Sequence, residues 1–152
     1  MPQSYAALYY HIVFRTKDKF TLLPEPIFTR LGEYLGGILR NLDGTLLAYG
    51  GMPDHIHLLV SLGREMSLAA TMKSIKGYSS KWIHETFPEY QKFAWQSGYG
   101  AFTVSPSVLP KVKQYIATQA EHHRHRTYRE ELLLFLKEYG IEYDEKWISD
   151  EG

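Results

Sequence analysis

Gly50-Gly51-Met52-Pro53-Asp54-His55-Ile56-His57-Leu58-Leu59-Val60 is the stretch on which the reading of this chain turns. Its second half has the apolar, β-branched character of a strand, and Gly50-Gly51-Met52-Pro53 has the composition of a turn. Thr45-Leu46-Leu47-Ala48-Tyr49 before it reads as another strand, so the unit is expected to be a β-hairpin. Side chains alternate across a strand, which puts His55 and His57 on one face about 6.6 Å apart and Ile56 on the other. Two imidazoles so placed can grip one metal ion. The same triplet also suits two hydrogen-bonded core histidines, but the neighbouring turn leaves room for a ligand.

Outward from the hairpin, Tyr5 to Thr16 is aromatic and β-branched and reads as a buried strand ending in the basic run Arg15 to Lys19. Pro24 and Pro26 open a helix in which Ile27, Leu31, Tyr34, Leu35, Ile38, Leu39 and Leu42 recur at helical spacing, closed by Asn41-Leu42-Asp43-Gly44. After the hairpin, Ser67 is the expected N-cap of a helix to about Phe87 with Leu68, Met72, Ile75, Ser79 and Trp82 as one stripe, ended by Pro88. Phe93 to Gly100 is a glycine-punctuated loop, and Ala101-Phe102-Thr103-Val104 reads as the last strand. Helices over about 107–123 and 128–139 follow. This order suits an α+β fold, an antiparallel sheet of ferredoxin-like or RNA-recognition-like type with helices on one side.

Length and composition limit the function. A chain of 152 residues, 44% hydrophobic, is expected to form one domain over residues 1–152, with a real core and no separate ATP-driven motor or nucleotide cofactor. No cysteine is present, so any metal must be held by nitrogen and oxygen. Met1-Pro2-Gln3-Ser4-Tyr5 lacks a basic segment followed by an apolar run, and no stretch approaches a membrane span. A cytoplasmic protein without membrane partners is expected. The formal net charge is zero, yet residues 1–120 carry 12 Lys and Arg against 8 Asp and Glu, and the remainder 5 against 9. The zero net charge argues weakly against a nucleic-acid partner, and the uneven distribution softens this: the larger part is basic and the tail is acidic.

Two histidines do not close a metal site. In the segment Lys111 to His123, Tyr115 and Gln119 lie one turn apart and about 40° from each other, with His122 about 20° to the other side of Tyr115. One helical face thus offers a hydroxyl, an amide oxygen and an imidazole. Tyrosine on a helix is ordinarily half-buried packing, and Tyr-x-x-x-Gln alone carries little information.

Taken together, Gly-Met-Pro-Asp-His-Ile-His-Leu-Leu-Val over residues 51–60, His11-Ile12-Val13-Phe14-Arg15-Thr16-Lys17, Trp95-Gln96-Ser97-Gly98-Tyr99-Gly100 and the Tyr115/Gln119 pair resemble the HUH endonuclease superfamily. More narrowly, the chain is similar to the single-tyrosine transposases of the insertion-sequence 200/605 group and the related REP-associated tyrosine transposases, over nearly its whole length. The resemblance implies that His55, His57 and Gln119 bind a divalent metal, Mg²⁺ or Mn²⁺, with His122 open as an alternative ligand. It implies that Tyr115 is the nucleophile that cuts single-stranded DNA, leaving a 5′-phosphotyrosine and a free 3′-OH. It also implies recognition of DNA hairpins and a homodimer, with Tyr115 serving its own chain or its partner's. Mixed nitrogen and oxygen donors suit Mn²⁺ somewhat better than Mg²⁺. No residue is identifiable as the general base.

Arg15, Lys17, Lys19, Lys73, Lys76, Lys81, Lys111 and Lys113 are candidates for phosphate contacts, though a charge run is also an ordinary solvated face. Asp54 belongs to the turn or orients an imidazole. His122, His123 and His125 with Arg124 and Arg126 read as surface residues, a DNA contact or a second metal site. Two further readings of the whole remain: a relative that holds DNA hairpins without cutting, and a metal-dependent phosphodiesterase that uses water, with Tyr115 structural.

Overall fold

The computed structural model describes residues 4–18 and 21–148. Its sheet has four antiparallel strands, β1 (Tyr9–Arg15), β2 (Thr45–Met52), β3 (His55–Ser61) and β4 (Gly100–Thr103), in the spatial order β2-β3-β1-β4. Helices α1 (Glu25–Asn41) and α2 (Leu68–Thr86) complete a ferredoxin-like β-α-β-β-α-β unit. Helices α3 (Leu109–Ala117), α4 (Gln119–His122) and α5 (Tyr128–Glu138) follow it. Among the described residues no helix is long and apolar enough to cross a membrane.

Strand alternation divides the core. Ile12 and Phe14 on β1 and Ile56, Leu58 and Val60 on β3 point to one face, where they pack with Leu31, Leu35 and Leu39 of α1 and Met72, Ile75 and Ile83 of α2. Each of these side chains contributes roughly 1.5–3 kcal/mol by leaving water. The odd-numbered residues point the opposite way, where Val13 and Phe102 meet Tyr128 and Leu136, and Leu59 meets Val104 and Ile116. Helices therefore cover both faces of the sheet rather than one. The expectation of a single covered face missed that α3 to α5 return across the other side, which holds His55 and His57.

The helix starts follow the expected chemistry. Pro24 precedes α1 with Pro26 inside its first turn, and Ser67 caps α2 by accepting from the Ala70 amide at 3.0 Å. Thr127 and Glu130 form a reciprocal capping box on α5.

Three expectations fail, each for a local reason. The first strand begins at Tyr9 rather than Tyr5, because its ladder with β3 ends where Tyr9 meets Ser61. Gly50 and Gly51 lie in β2 rather than in the turn, which is the two-residue Pro53-Asp54 link between the paired Met52 and His55. Glycine serves close approach here: a Cβ at position 50 would collide with the Ile116 carbonyl oxygen of α3, and one at 51, where φ is +151°, with the backbone of His55. Finally, the helix expected over 107–123 breaks at Thr118, whose φ and ψ of −111° and 33° are not helical. Its hydroxyl donates to the Gln114 carbonyl at 2.8 Å, a local bond that competes with helical geometry.

Candidate functional site

His55 and His57 emerge from β3 on the face under α3 to α5, and both are fully buried. Each is fixed through Nδ1. Asp54 Oδ1 lies 2.7 Å from His55 Nδ1, and His11 Nε2, from the neighbouring strand, lies 2.7 Å from His57 Nδ1. Asp54 is thus both a turn residue and the carboxylate that orients an imidazole. Anchoring of Nδ1 directs both Nε2 atoms to one point, as in metal sites whose ligands are held from behind.

At that point the structure gathers more than the sequence suggested. Glu131 Oε1, from α5, lies 2.9 Å from His57 Nε2, 3.3 Å from His123 Nε2 and 3.6 Å from His55 Nε2. The donor atoms of His55, His57, His123 and Glu131 all lie within 4.8 Å of one another. Gln119 is 2% exposed, and its Oε1 is 3.4 Å from His55 Nε2 and 3.0 Å from His123 Nε2. Three imidazoles, a carboxylate and an amide oxygen, buried and convergent, form a donor set that fits a divalent first-row transition metal.

The charge states follow from burial and partners. Burial holds His11 down to about 3, helped by the neighbouring His57, so it is neutral. Burial also lowers His57 against the pull of Glu131. Neutral His57 donates from Nε2 to the carboxylate, which can only accept, so its Nδ1 accepts from His11 Nε2. A metal on Nε2 would displace that proton to Nδ1, and the His11 tautomer would reverse with it. Burial opposes the charge of His55, but Asp54 and Glu131 outweigh it and raise its pKa. Burial likewise opposes ionised Glu131, yet hydrogen bonds from His123, His55 and His57 hold it well below the carboxylate range.

Tyr115 comes to this group within one chain. Gly50 lets α3 lie close on β2, and the Tyr115 hydroxyl donates to Glu131 Oε2. Burial, then the bond and charge of Glu131, push the phenol above its ordinary pKa. The Gln119 amide donates to the Tyr115 carbonyl at 3.3 Å, tying the two sides of the helix break together. An open groove of about 570 Å³, lined by Tyr115, Glu131, Arg126, Phe135 and Lys137 among others, leads to the hydroxyl.

Of the residues expected from sequence, His55, His57, Tyr115 and Gln119 are brought together. His122 is not among the convergent donors: the break at Thr118 turns His123 inward instead, while His122 stacks on the Tyr115 ring at 4.2 Å and pairs with Thr118 Oγ1 at 3.2 Å. Glu131 was missed although it sits in the stripe Tyr128, Glu131, Phe135, where a lone acid among apolar side chains is the available signal. His11 was legible as the residue two before Val13, which pairs with His57.

The candidate phosphate contacts scatter. Arg15 is on the site face, its guanidinium 5.1 Å from the Tyr128 ring centroid. Lys111 and Lys113 are exposed on α3 beside Tyr115, and Lys17 is exposed just beyond β1. Lys73 and Lys81 are exposed on α2, across the sheet from the histidines. Lys76 donates to the Gln96 and Gly98 carbonyls at 2.6 and 2.8 Å, which makes it a brace for that loop. Lys19 lies outside the described residues.

Known proteins share this fold and resemble this sequence over much of its length. Residues 4–119 match the family model described as "Transposase IS200 like". The chain is 30% identical over 121 residues to the transposase of insertion sequence element IS200 from Salmonella typhimurium, spanning 74% of this chain and 76% of that protein. It is 25% identical over 117 residues to the ISDra2 transposase TnpA of Deinococcus radiodurans, spanning 74% and 84%. Among solved structures, a candidate transposase from Deinococcus radiodurans superposes with a TM-score of 0.62 at 26% identity, covering 78% of this chain and 95% of that one. A REP-associated tyrosine transposase bound to a REP hairpin shares the fold at a TM-score of 0.60 and 13% identity, covering 81% and 73%. His123 and Glu131 lie beyond the matched residues. The chain belongs to the IS200-like transposase family and is a DNA transposase.

Proposed function

We infer that residues 1–152 form one catalytic domain that cuts and rejoins single-stranded DNA through a covalent tyrosine intermediate. The Tyr115 oxygen attacks a backbone phosphorus, the bond from phosphorus to the 3′-oxygen breaks, and the 3′-oxygen takes a proton from solvent. The phenolic proton leaves to solvent, while Glu131 Oε2, which accepts the hydrogen bond of the resting hydroxyl, positions the oxygen. The product is a 5′-phosphotyrosine and a free 3′-OH. Attack by another 3′-OH reverses the step without ATP, because the ester keeps the bond energy. Glu131, held ionised by the histidines, orients the Tyr115 hydroxyl rather than taking its proton.

His55, His57, Gln119, His123 and Glu131 are the residues that would hold a divalent metal. That ion supplies neutralisation of charge at the phosphate oxygens. Three imidazoles favour Mn²⁺ over Mg²⁺, which prefers oxygen donors and retains its waters. A DNA hairpin is the proposed recognition element, as in the REP-associated neighbour bound to a REP hairpin. A homodimer is proposed with it, and exchange of α3 between copies is then unnecessary, since one chain brings Tyr115 to its own histidines.

The observation that carries this reading is the meeting of Tyr115 with the carboxylate that also contacts His57 and His123. Incubation with single-stranded DNA and Mn²⁺ should yield an adduct that survives denaturation and disappears in Tyr115→Phe. Cleavage without an adduct would replace the nucleophile by water. Binding without cleavage would make the chain a hairpin-binding protein.

A further inference from the structure

A second cavity, about 260 Å³, opens on the other side of α5 from the Tyr115 groove. Arg15, Ser97, Tyr99, Tyr128 and Trp147 are among its lining residues. Tyr128 links it to the metal group, because its ring centroid is 4.9 Å from that of His55. Arg15 stands opposite His55 in the β1–β3 ladder and is only 8% exposed, its guanidinium against the Tyr128 ring. The cavity therefore shares a wall with the site and is not a remote surface dent.

Its construction is rigid on one side and aromatic on the other. The Gln96 amide donates to the Arg15 carbonyl at 2.8 Å, Thr16 bridges to Trp95, and Lys76 clamps the Gln96 and Gly98 carbonyls. The loop from Gln96 to Tyr99 is thus fixed before any ligand arrives. Tyr99 and Trp147, at the cavity, are 40% and 78% exposed. Large aromatic faces left in water beside a buried cation suit a flat, polar-edged, anionic ligand. In a DNA transposase that ligand is a nucleotide. A duplex keeps its bases stacked inside, so only an unpaired one can enter.

We propose that this cavity binds the base of an unpaired nucleotide flanking the cleaved phosphate, stacked on Tyr99 and Trp147 with Arg15 facing its polar edge or phosphate. Trp147 and Tyr128 lie outside residues 4–119, so this contact is built by the segment that follows the family match. Lys76 acts as a positioning residue for the loop. The inference rests on the single-stranded substrate of the proposed function but not on tyrosine chemistry.

The test uses the metal-free full chain, so no cleavage is required, and an oligothymidylate carrying 5-iodouracil as the probe. Irradiation should attach the probe to Tyr99 or Trp147, read by mass spectrometry. Tyr99→Ala and Trp147→Ala, both at exposed positions, should each weaken oligothymidylate binding about tenfold while circular dichroism stays unchanged. Attachment confined to other residues, or unaltered affinity in both variants, overturns the proposal. Attachment at these aromatics in a protein that forms no phosphotyrosine adduct would keep the base site and remove the covalent mechanism. An adduct with attachment elsewhere would do the reverse.

Discussion

His57 illustrates how much one side chain's role depends on the atom behind it. Its Nε2 faces the other donors only because Nδ1 is taken by His11, which is not itself one of the converging donors. His11→Ala should lower Mn²⁺ affinity about 10- to 100-fold, measured by titration calorimetry, with the three donor histidines intact. The same residue makes the metal-free protein sensitive to acid. Its folded pKa of about 3 lies below the ordinary 6.5, so the unfolded chain binds more protons across that interval and stability falls as pH falls. His57, Asp54 and Glu131, all lowered, act in the same direction, Asp54 and Glu131 in the carboxylate range. His55, raised, acts oppositely: its contribution is present in acid and is lost as pH rises through its folded pKa. His11 alone should cost the metal-free protein on the order of 2 kcal/mol between pH 6.5 and pH 5. Urea melts at the two values check this, and equal stability would contradict it.

Among the elements, α3 and its seat on β2 decide whether the tyrosine reaches its partners. Gly50 has no side chain where the Ile116 carbonyl rests, so a methyl group there must lift the helix. Gly50→Ala should cost roughly 1–3 kcal/mol of stability by overpacking. A shift near 1 Å at Tyr115 should slow adduct formation about 100-fold. A variant that melts earlier yet forms adduct at the native rate would show that α3 does not need this seat. Sequence reading assigned the glycine to a turn because turns and close approaches use the same residue, and only the helix above it tells them apart. The break at Thr118 was equally hidden. A continuous helix predicts His122 beside Tyr115 in the site, whereas the observed break substitutes His123.

At the scale of the whole molecule, the cluster that could hold a metal ties together parts of the chain far apart in sequence: β1 through His11, β3 through His55 and His57, α4 through Gln119, and α5 through Glu131. A ligand that bridges such parts binds the folded state alone and must stabilise it. Mn²⁺ at about a hundred times its dissociation constant should add about 2.7 kcal/mol. For a chain of this size that is a rise in melting temperature of roughly 5–10 °C. Mg²⁺ should do less at equal concentration, and the effect should vanish in His55→Ala/His57→Ala. Equal shifts in that double variant would place the metal elsewhere.

Local signals determined most of the elements and half of the site. Periodicity and the residues that open or cap a helix marked α1 and α2, and the alternation of His55-Ile56-His57 put two imidazoles on one face because neighbouring residues fix that geometry by themselves. Only the tertiary structure decided that helices cover both faces of the sheet, that His123 rather than His122 joins the converging donors, and that Glu131 joins Tyr115 to the histidines. Those outcomes depend on how α3, α4 and α5 dock over the sheet, a balance of close packing at Gly50 and a helix broken at Thr118. No spacing along the chain encodes that docking, since it is set by surfaces that meet only after folding.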